Sequence, residues 1–549
     1  MTRGGTLVIA DWEFPDSLDP LHGATLSDLR VASLLFEPLW ATGADLRPVP
    51  EILREVPTVA GGGIRAGSDG VSMTVDLRLR AGLRWSDGVP ITADDVIFTV
   101  DAICSAANPG RDRTGFDHIA SQERRSATEV VWHFGPRPHG SCGLAGDLAS
   151  GLYPAIDLLG PRTRLLPAHR LAAIQPSAWA SDPYFQKPDV VSGPFLFRSE
   201  VAGALIDLAA NPQFAAGRDH GPYLEGISYR YYVGKAAMIA GLLAGEADLG
   251  FHLQPDDAAQ LRGIARSATL AMPTLEGEFL VPNHAPNTAT GRPPPWSGDD
   301  PVLAALAATV DRQALDKVAF GDDAAVTPGL FPAAMAGFAV PGPAAGGDLE
   351  RAHGILDGDG WKAGPDGVRV KSGRRLAFTL LTVCDSAPRQ AEQTELVRQW
   401  ALAGALVEAA CEPRGTFIAG YAAGGVVARG GFDMGLYANS WQPDPDDWAR
   451  FSGTASIPSD GNPSGLNWGR CRDDRLDRAF ATGTGSLDAG RRRIAYLDAA
   501  AEWLRYGCTI PLLDRPAVVQ RTSRLVGFAP DPVLGLDTEN AEDWWLSAP

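Results

Sequence analysis

One stretch decides the fold class: Ile227-Ser228-Tyr229-Arg230-Tyr231-Tyr232-Val233, then the segment 236–244, then Asp248-Leu249-Gly250-Phe251. The first part alternates apolar and polar residues and predicts a strand, the second predicts a helix, and the third a short strand. A strand–helix–strand order is typical of parallel strands joined by a crossover helix. The stretch therefore predicts an α/β fold on a largely parallel sheet.

The same order returns in the second half of the chain. Strand-like segments lie at 376–383, 405–409 and 432–437, and a predicted helix spans Gln390–Ala403. Between the two halves, the strand Phe279-Leu280-Val281-Pro282-Asn283 is followed by the proline-rich run Arg292-Pro293-Pro294-Pro295-Trp296. We therefore expect two α/β lobes: a first lobe over 1–279, a second over 280–510, and a return of residues 511–549 to the first lobe.

Composition narrows the function classes. The chain has 549 residues, of which 45% are hydrophobic and 21% charged, so it can bury large cores. Its formal charge of −18 argues against a general nucleic-acid binder, because such proteins carry a surplus of Lys and Arg. No run approaches the roughly 18 apolar residues that span a bilayer.

The motifs of common enzymes are absent from the sequence. It contains no GxSxG, no HExxH and no GxxxxGK[ST] phosphate loop, and its nine histidines are dispersed. No cysteine pair has metal-ligand spacing. We therefore expect no enzymatic activity, no metal and no cofactor, although a hydrolase or transferase built on an unrecognised geometry stays open.

An ordered set of motifs carries a resemblance to a known family. The segment Leu79-Arg80-Ala81-Gly82-Leu83-Arg84-Trp85-Ser86-Asp87-Gly88-Val89-Pro90-Ile91-Thr92-Ala93-Asp94-Asp95-Val96 resembles the signature of the family 5 extracellular solute-binding proteins of ABC importers, which include dipeptide-, oligopeptide- and nickel-binding proteins. Further motifs follow in family order, among them Leu166-Pro167-Ala168-His169, Leu243-Ala244-Gly245-Glu246-Ala247-Asp248 and Ile510-Pro511-Leu512. The chain departs from the family pattern at Val191-Ser192-Gly193-Pro194-Phe195 and around Leu303, which indicates a divergent member.

The resemblance implies a fold and a function. It implies a two-lobed periplasmic-binding-protein-like fold of type II, with an extra subdomain at about 45–190 and a hinge near Pro282-Asn283 and Ile510-Pro511. A monomeric protein of this kind would capture a peptide or another amine-bearing solute between its lobes and deliver it to an ABC transporter permease in the membrane. A neutral oligosaccharide or another non-peptide cargo is the alternative.

The resemblance also points to ligand-binding residues. In peptide-binding relatives, an aspartate shortly after a tryptophan pairs with the α-ammonium group of the ligand, and Trp441 and Asp444 match them by position. Such a carboxylate would attract an ammonium group, and a tryptophan face could add a cation–π contact. The alternative is that Asp444, between two prolines, only shapes a turn. Trp12, Glu13 and Phe14, just after the first strand, are candidates for the opposing wall.

The cysteines bear on location. Cys104, Cys142, Cys384, Cys411, Cys471 and Cys508 are six in number, and six cysteines permit 15 connectivities. We expect consecutive pairs, with scattered buried thiols as the alternative. Cys384 and Cys411 end strands that a crossover helix would place side by side. The segment 1–10 has no leader pattern. One interpretation is a cytosolic protein. The other is a mature extracytoplasmic chain, periplasmic or anchored at the cell surface, whose leader is missing. Disulfides favour the second interpretation.

Overall fold

The computed structural model describes residues 3–547, except for 22, 24, 109–112, 138–141, 143–147, 149, 265, 299, 323, 328, 339, 341, 343, 344 and 534. Its strands are β1 Thr6–Asp11, β2 Trp40–Thr42, β3 Pro48–Pro50, β4 Ile64–Ala66, β5 Met73–Arg78, β6 Ile119–Ser126, β7 Glu129–Phe134, β8 Phe195–Val201, β9 Leu205–Ala210, β10 Gly226–Tyr231, β11 Leu249–Leu253, β12 Ser267–Met272, β13 Glu276–Pro282, β14 Ala325–Val326, β15 Lys362–Ala363, β16 Arg369–Lys371, β17 Arg374–Arg375, β18 Ala377–Val383, β19 Leu406–Glu412, β20 Met434–Ser440, β21 Ile510–Asp514, β22 Ala517–Thr522, β23 Leu525–Val526 and β24 Trp545–Leu546.

Its α-helices are α1 Leu26–Leu35, α2 Ala93–Cys104, α3 Leu159–Arg162, α4 Ala168–Leu171, α5 Lys235–Leu243, α6 Pro255–Leu261, α7 Asp300–Thr309, α8 Arg312–Ala319, α9 Leu349–Gly358, α10 Ala387–Leu402, α11 Arg414–Phe417, α12 Val426–Arg429, α13 Ala449–Ser452, α14 Asp474–Thr484 and α15 Ala489–Tyr506. The chain divides into two compact units: the first comprises Met1–Met272 and Ala517–Pro549, and the second Pro273–Pro516. No described helix is long and apolar enough to cross a membrane.

The first unit is built on a seven-stranded sheet of order β12-β22-β11-β1-β10-β9-β8. Strand β1 lies between β10 and β11 and is parallel to both. Helix α5 connects β10 to β11, and its Met238 and Leu242 pack in a buried cluster with Ala10 of β1 and Leu253 of β11. This is the predicted strand–helix–strand element. A separate four-stranded sheet, β4-β5-β7-β6, lies in the same unit.

The second unit contains a six-stranded sheet of order β14-β21-β13-β20-β18-β19. Strand β18 is parallel to β19 and β20, and α10 is the crossover from β18 to β19. The helix buries Leu396 and Trp400 in a cluster with Leu380 of β18 and Leu436 of β20. The α/β class is therefore confirmed in both units. The prediction of a largely parallel sheet is wrong, because only two of the six pairings in the first sheet and two of the five in the second are parallel; hairpin strands and strands that return from distant parts of the chain pair antiparallel beside the parallel centre.

The two segments at which the sequence predicts a hinge, Pro282-Asn283 and Ile510-Pro511, lie at the end of β13 and at the start of β21. Pro282 ends β13 and Ile510 begins β21, and these two strands pair with each other inside the second sheet, where Leu280 faces Ile510. The chain instead passes between the units after Met272 and after Pro516. An apolar run near a domain boundary has the same sequence pattern whether it links two domains or forms a paired strand inside one domain. The sequence alone therefore does not distinguish a linking strand from a core strand at these two positions.

Three disulfide bonds join the cysteines in consecutive pairs. They link Cys104 to Cys142, Cys384 to Cys411 and Cys471 to Cys508, with Cα–Cα distances of 4.2, 5.0 and 5.4 Å. The second pair follows from the sheet: β18 and β19 are parallel neighbours, and Cys411 lies opposite Thr382, two residues before Cys384.

Candidate functional site

The carboxyl edge of the first sheet gathers polar and aromatic side chains. The parallel strands β10, β1 and β11 end there, with Tyr231 and Asp11 at the ends of β10 and β1 and His252 near the end of β11. Ligands of α/β proteins bind at the carboxyl ends of such strands, because the loops that follow them can carry variable side chains. We therefore take this edge as the candidate site of the first unit.

His252 is turned toward this edge by an irregular backbone. The pairing of β11 with β22 shifts register between Gly250 and Leu253, and His252 itself has φ +53°. A bulge re-aims a side chain, and a positive φ in a non-glycine residue is uncommon. The His252 Nδ1 lies 2.6 Å from the Asp11 Oδ1, so the imidazole is held by the strand that lies next to it.

Asp11 is the organising residue. It is fully buried, and its Oδ1 also accepts hydrogen bonds from the backbone N–H groups of Trp12 and Glu13, at 2.7 and 3.2 Å. These contacts turn the chain as it leaves β1. The sequence interpretation did not single out Asp11 or His252; the position of Asp11 at a strand end was the available signal, whereas nothing in the sequence indicates the positive φ of His252.

Arg30 of α1 completes the buried part of the site. Its guanidinium binds Asp537 through two hydrogen bonds of 2.8 and 2.9 Å, and its Nη1 lies 3.0 Å from the His252 Nε2. Burial alone would lower the pKa of Arg30, but the carboxylates of Asp537 and Asp11 raise it overall. The guanidinium therefore stays charged. No local sequence pattern indicates this ion pair, because Arg30 and Asp537 lie 507 residues apart in the chain.

The predicted residues Trp12 and Glu13 lie beside His252. Trp12 is 41% exposed, and its indole N–H donates to the backbone carbonyl of His252 over 3.1 Å. The Glu13 carboxylate is 37% exposed and lies 3.3 Å from the His252 Nε2. Phe14 instead packs edge-on against Tyr231, with ring centroids 4.7 Å apart. Trp12 and Glu13 are thus the accessible part of this site.

In the second unit, Trp441 directly follows β20 but lies in the interior. It is 1% exposed, and its ring contacts five other aromatic rings, those of Phe279, Phe331, Trp448, Phe451 and Trp503. A side chain so enclosed contributes to packing. Its assignment to ligand binding stays a prediction, which the packing does not favour.

Asp444 already has a cationic partner in the same unit. Its two carboxylate oxygens accept hydrogen bonds from Arg492 of α15 at 2.8 and 3.0 Å, and both side chains are only 13% exposed. Its Oδ1 also accepts from the backbone N–H of Asp446 and caps the short helix 445–448. The turn-shaping role that the sequence analysis left open is therefore present, together with an ion pair that it did not foresee.

Asp446 and Tyr496 extend this group. The Tyr496 hydroxyl donates to the Asp446 carboxylate over 2.7 Å, and burial together with the neighbouring charge of Asp444 raises the pKa of Asp446 to about 6. The Arg492 guanidinium lies 3.7 Å from Asp446 and over the Tyr496 ring. The loop after β20 is thus fastened to α15 by charged groups.

A second group of buried charged side chains lies within the second unit. Glu278 of β13 is fully buried and binds Arg389 of α10 at 3.1 and 3.2 Å and also Arg515. Burial alone would raise the pKa of Glu278, but these two guanidinium groups hold it below its usual range. Glu392 is also fully buried, and neither of its carboxylate oxygens has a hydrogen-bond partner in the part of the chain that the structure describes. Burial and the neighbouring Glu278 raise its pKa.

Among the described residues, no group of three or more His, Cys, Asp or Glu side chains is arranged to hold a metal ion. The chemistry that the site offers is thus a carboxylate, an imidazole and an indole at one sheet edge. Such an arrangement can bind a solute through charge and aromatic contact.

Comparison with known proteins gives the family. The model described as "Bacterial extracellular solute-binding proteins, family 5 Middle" matches residues 69–462. Among curated relatives, the oligopeptide-binding protein AppA of Bacillus subtilis is 23% identical over 388 residues, which cover 69% of this chain and 64% of AppA. The oligopeptide-binding protein OppA of Lactococcus lactis is 25% identical over 357 residues, covering 61% and 57%. The chain therefore spans less than two thirds of the length of these relatives.

Solved structures show the same fold. The structure of AppA from Bacillus subtilis in complex with a nonapeptide has a TM-score of 0.71 at 19% identity and covers 100% of both chains. The periplasmic EDTA-binding protein EppA has a TM-score of 0.77 at 18% identity, covering 100% of this chain and 97% of EppA. The two-lobed α/β fold inferred from the sequence is thereby confirmed. Because the family model matches more than half of the chain, the protein belongs to the bacterial extracellular solute-binding proteins of family 5.

Proposed function

We propose that this protein is the solute-binding component of an ABC importer. It captures a peptide or another amine-bearing solute outside the cytoplasm and delivers it to a permease in the membrane. The observation that carries the proposal is the match of residues 69–462 to the solute-binding family. The relatives named as oligopeptide-binding proteins support a peptide as the cargo.

The physical requirements of this function are modest. A binding protein needs no covalent step, only a higher affinity for its cargo in one conformation than in another. The two compact units correspond to two lobes of which one or both contact the cargo, and the carboxyl edge of the first sheet supplies Trp12, Glu13 and His252 for that contact. The protein acts as a monomer, without cofactor or nucleic acid, in the periplasm or anchored at the cell surface.

The experiment is native mass spectrometry of the purified protein, followed by thermal unfolding in the presence of any cargo found. A bound peptide or amine that is released unchanged and raises the melting temperature supports the proposal. Conversion of the added solute into a product would instead support the hydrolase or transferase alternative.

One observation favours a second candidate cargo, a neutral oligosaccharide or another non-peptide solute. The Asp444 carboxylate, which the family resemblance assigns to the ammonium group of a peptide, is bound by Arg492 through two hydrogen bonds. If Asp444 is not available, amine recognition needs another carboxylate. The same mass measurement separates the two candidates, because a retained oligosaccharide and a retained peptide have distinct masses and fragments.

A further inference from the structure

We propose that Trp12 and Glu13, with His252 as their positioning residue, form a subsite in the first unit for a cationic group of the cargo, a primary ammonium or a guanidinium. This inference rests on the proposed function, and it assigns cation recognition to residues other than Asp444. We call Trp12 and Glu13 the cation subsite.

The backbone at His252 is the first reason. A non-glycine residue at φ +53° inside a register shift of β11 is held in a sparsely populated conformation. Such conformations persist where surrounding contacts fix them, and they concentrate at binding sites. Here the contacts are the Asp11 carboxylate at 2.6 Å, the Arg30 guanidinium at 3.0 Å and the indole N–H of Trp12 on the His252 carbonyl.

The balance of charge is the second reason. The group contains the carboxylates of Asp11, Glu13 and Asp537 and the guanidinium of Arg30, which is bound to Asp537 by two hydrogen bonds. The three carboxylates outnumber the one guanidinium, so the group stays negatively charged whether the His252 imidazole is neutral or protonated. The Glu13 carboxylate then lies at the edge of a group with more negative than positive charge, which favours a cationic ligand.

The exposed indole is the third reason. Trp12 is the only aromatic side chain among the described large hydrophobic residues that are exposed, and its N–H is fixed by the His252 carbonyl. A tryptophan face held in one orientation next to a carboxylate binds an ammonium or guanidinium group by cation–π attraction and charge together. A neutral cargo could stack on the indole ring but would gain neither the cation–π attraction nor the attraction to the carboxylate.

The test compares charged and uncharged copies of the same peptides. A chymotryptic peptide mixture is divided, one half is acetylated so that its amines become neutral amides, and the two halves are recombined in equal amounts. The protein is incubated with the mixture and separated by gel filtration, and retained peptides without arginine are quantified by mass spectrometry. We expect the wild type to retain the free-amine form at least tenfold over the acetylated form.

The variants locate that preference. Glu13→Gln is expected to reduce the preference at least fivefold, and Trp12→Ala to weaken retention of the amine form more than Trp12→Phe does. The matched control is Glu350→Gln, which removes one negative charge from an exposed position in the second unit. This variant should leave the preference at the wild-type value. Both substituted residues of the subsite are partly exposed, so the folded state is expected to survive, which thermal unfolding checks.

The outcomes separate the two hypotheses. Equal retention of both peptide forms by the wild type, or a preference that Glu13→Gln leaves unchanged, would overturn the cation subsite while peptide capture stands. Retention of no peptide by the wild type would overturn peptide capture, and the subsite with it.

Discussion

The ion pair between Asp444 and Arg492 makes a sharp prediction about stability. Asp444→Asn keeps the size of the side chain and its capacity to cap the helix 445–448, but it removes the charge that faces a guanidinium only 13% exposed. Removing one partner of a buried pair destabilises by about 3–5 kcal/mol, because the other charge is left uncompensated. Asp446, 3.7 Å from Arg492, retains part of the compensation. We therefore expect a loss of about 2–3 kcal/mol.

The assay is thermal and urea unfolding of four proteins: wild type, Asp444→Asn, Arg492→Met and the double variant. For domains of this size, 1 kcal/mol shifts the melting temperature by about 2–4 °C, so Asp444→Asn should lower it by about 5–10 °C. The double variant should be less destabilised than the sum of the single variants, which gives a coupling energy of about 2 kcal/mol. Asp385→Asn is the matched control, because its pair with Arg414 is about half exposed and should be worth at most about 1 kcal/mol.

The same variants decide the role of Asp444 in binding. If the carboxylate serves Arg492, the rise in melting temperature caused by the free-amine peptide mixture persists in Asp444→Asn. The sequence argument predicts the opposite: an unchanged melting temperature without peptide and no rise with it. That opposite pair of results would refute the structural reasoning and return Asp444 to the binding site.

Three further predictions concern the second unit. In Asp446→Asn, the free energy of unfolding relative to wild type should rise by about 3 kcal/mol between about pH 4 and pH 6 and then level off, because the folded wild type holds a proton that the unfolded chain has lost; a pH-independent difference contradicts this. Glu392→Gln should affect the melting temperature more favourably at pH 7.5 than at pH 4, because burial and Glu278 raise the pKa of this carboxyl in the folded state and the wild type therefore loses stability as the pH rises above the pKa of the unfolded chain; an effect of equal size at both pH values would contradict this. Replacing Cys384 and Cys411 by Ser should lower the free energy of unfolding by about 2–4 kcal/mol, and non-reducing peptide mapping of the wild type should show them linked; six alkylatable thiols in the wild type would contradict the pairing.

Local pattern was enough to predict the strand–helix–strand elements. The alternation in β10 and the spacing of apolar residues in α5 each predict which face of that element is buried. This prediction needs only residues that lie within a few positions of one another in the chain. The same reasoning reached the Cys384–Cys411 pair, because the crossover helix α10 makes β18 and β19 neighbours. In each case the contact joins elements that are neighbours in the chain or are separated by a single crossover helix.

The hinge and the ion pairs depend on contacts that no local pattern reports. β13 and β21 lie more than two hundred residues apart, yet they pair inside one sheet, so their apolar runs belong to a core and not to a linker. Arg492 stands on a helix whose sequence is rich in arginine, and nothing in that run distinguishes it as the partner of Asp444. The positive φ of His252 is likewise a property of its register shift.

The availability of a carboxylate, more than its position in a motif, determines whether it can recognise a cation. Asp444 fits the family motif, but Arg492 binds both of its oxygens at no more than 3.0 Å, so a ligand ammonium would have to displace a guanidinium already held in place. Glu13 is only a weaker match, yet its carboxylate is 37% exposed and lies beside the His252 imidazole, 3.3 Å from Nε2. Charge removal should therefore act on different quantities at the two positions. At Asp444 it should change stability and leave cargo preference intact, and at Glu13 it should change cargo preference with little effect on stability.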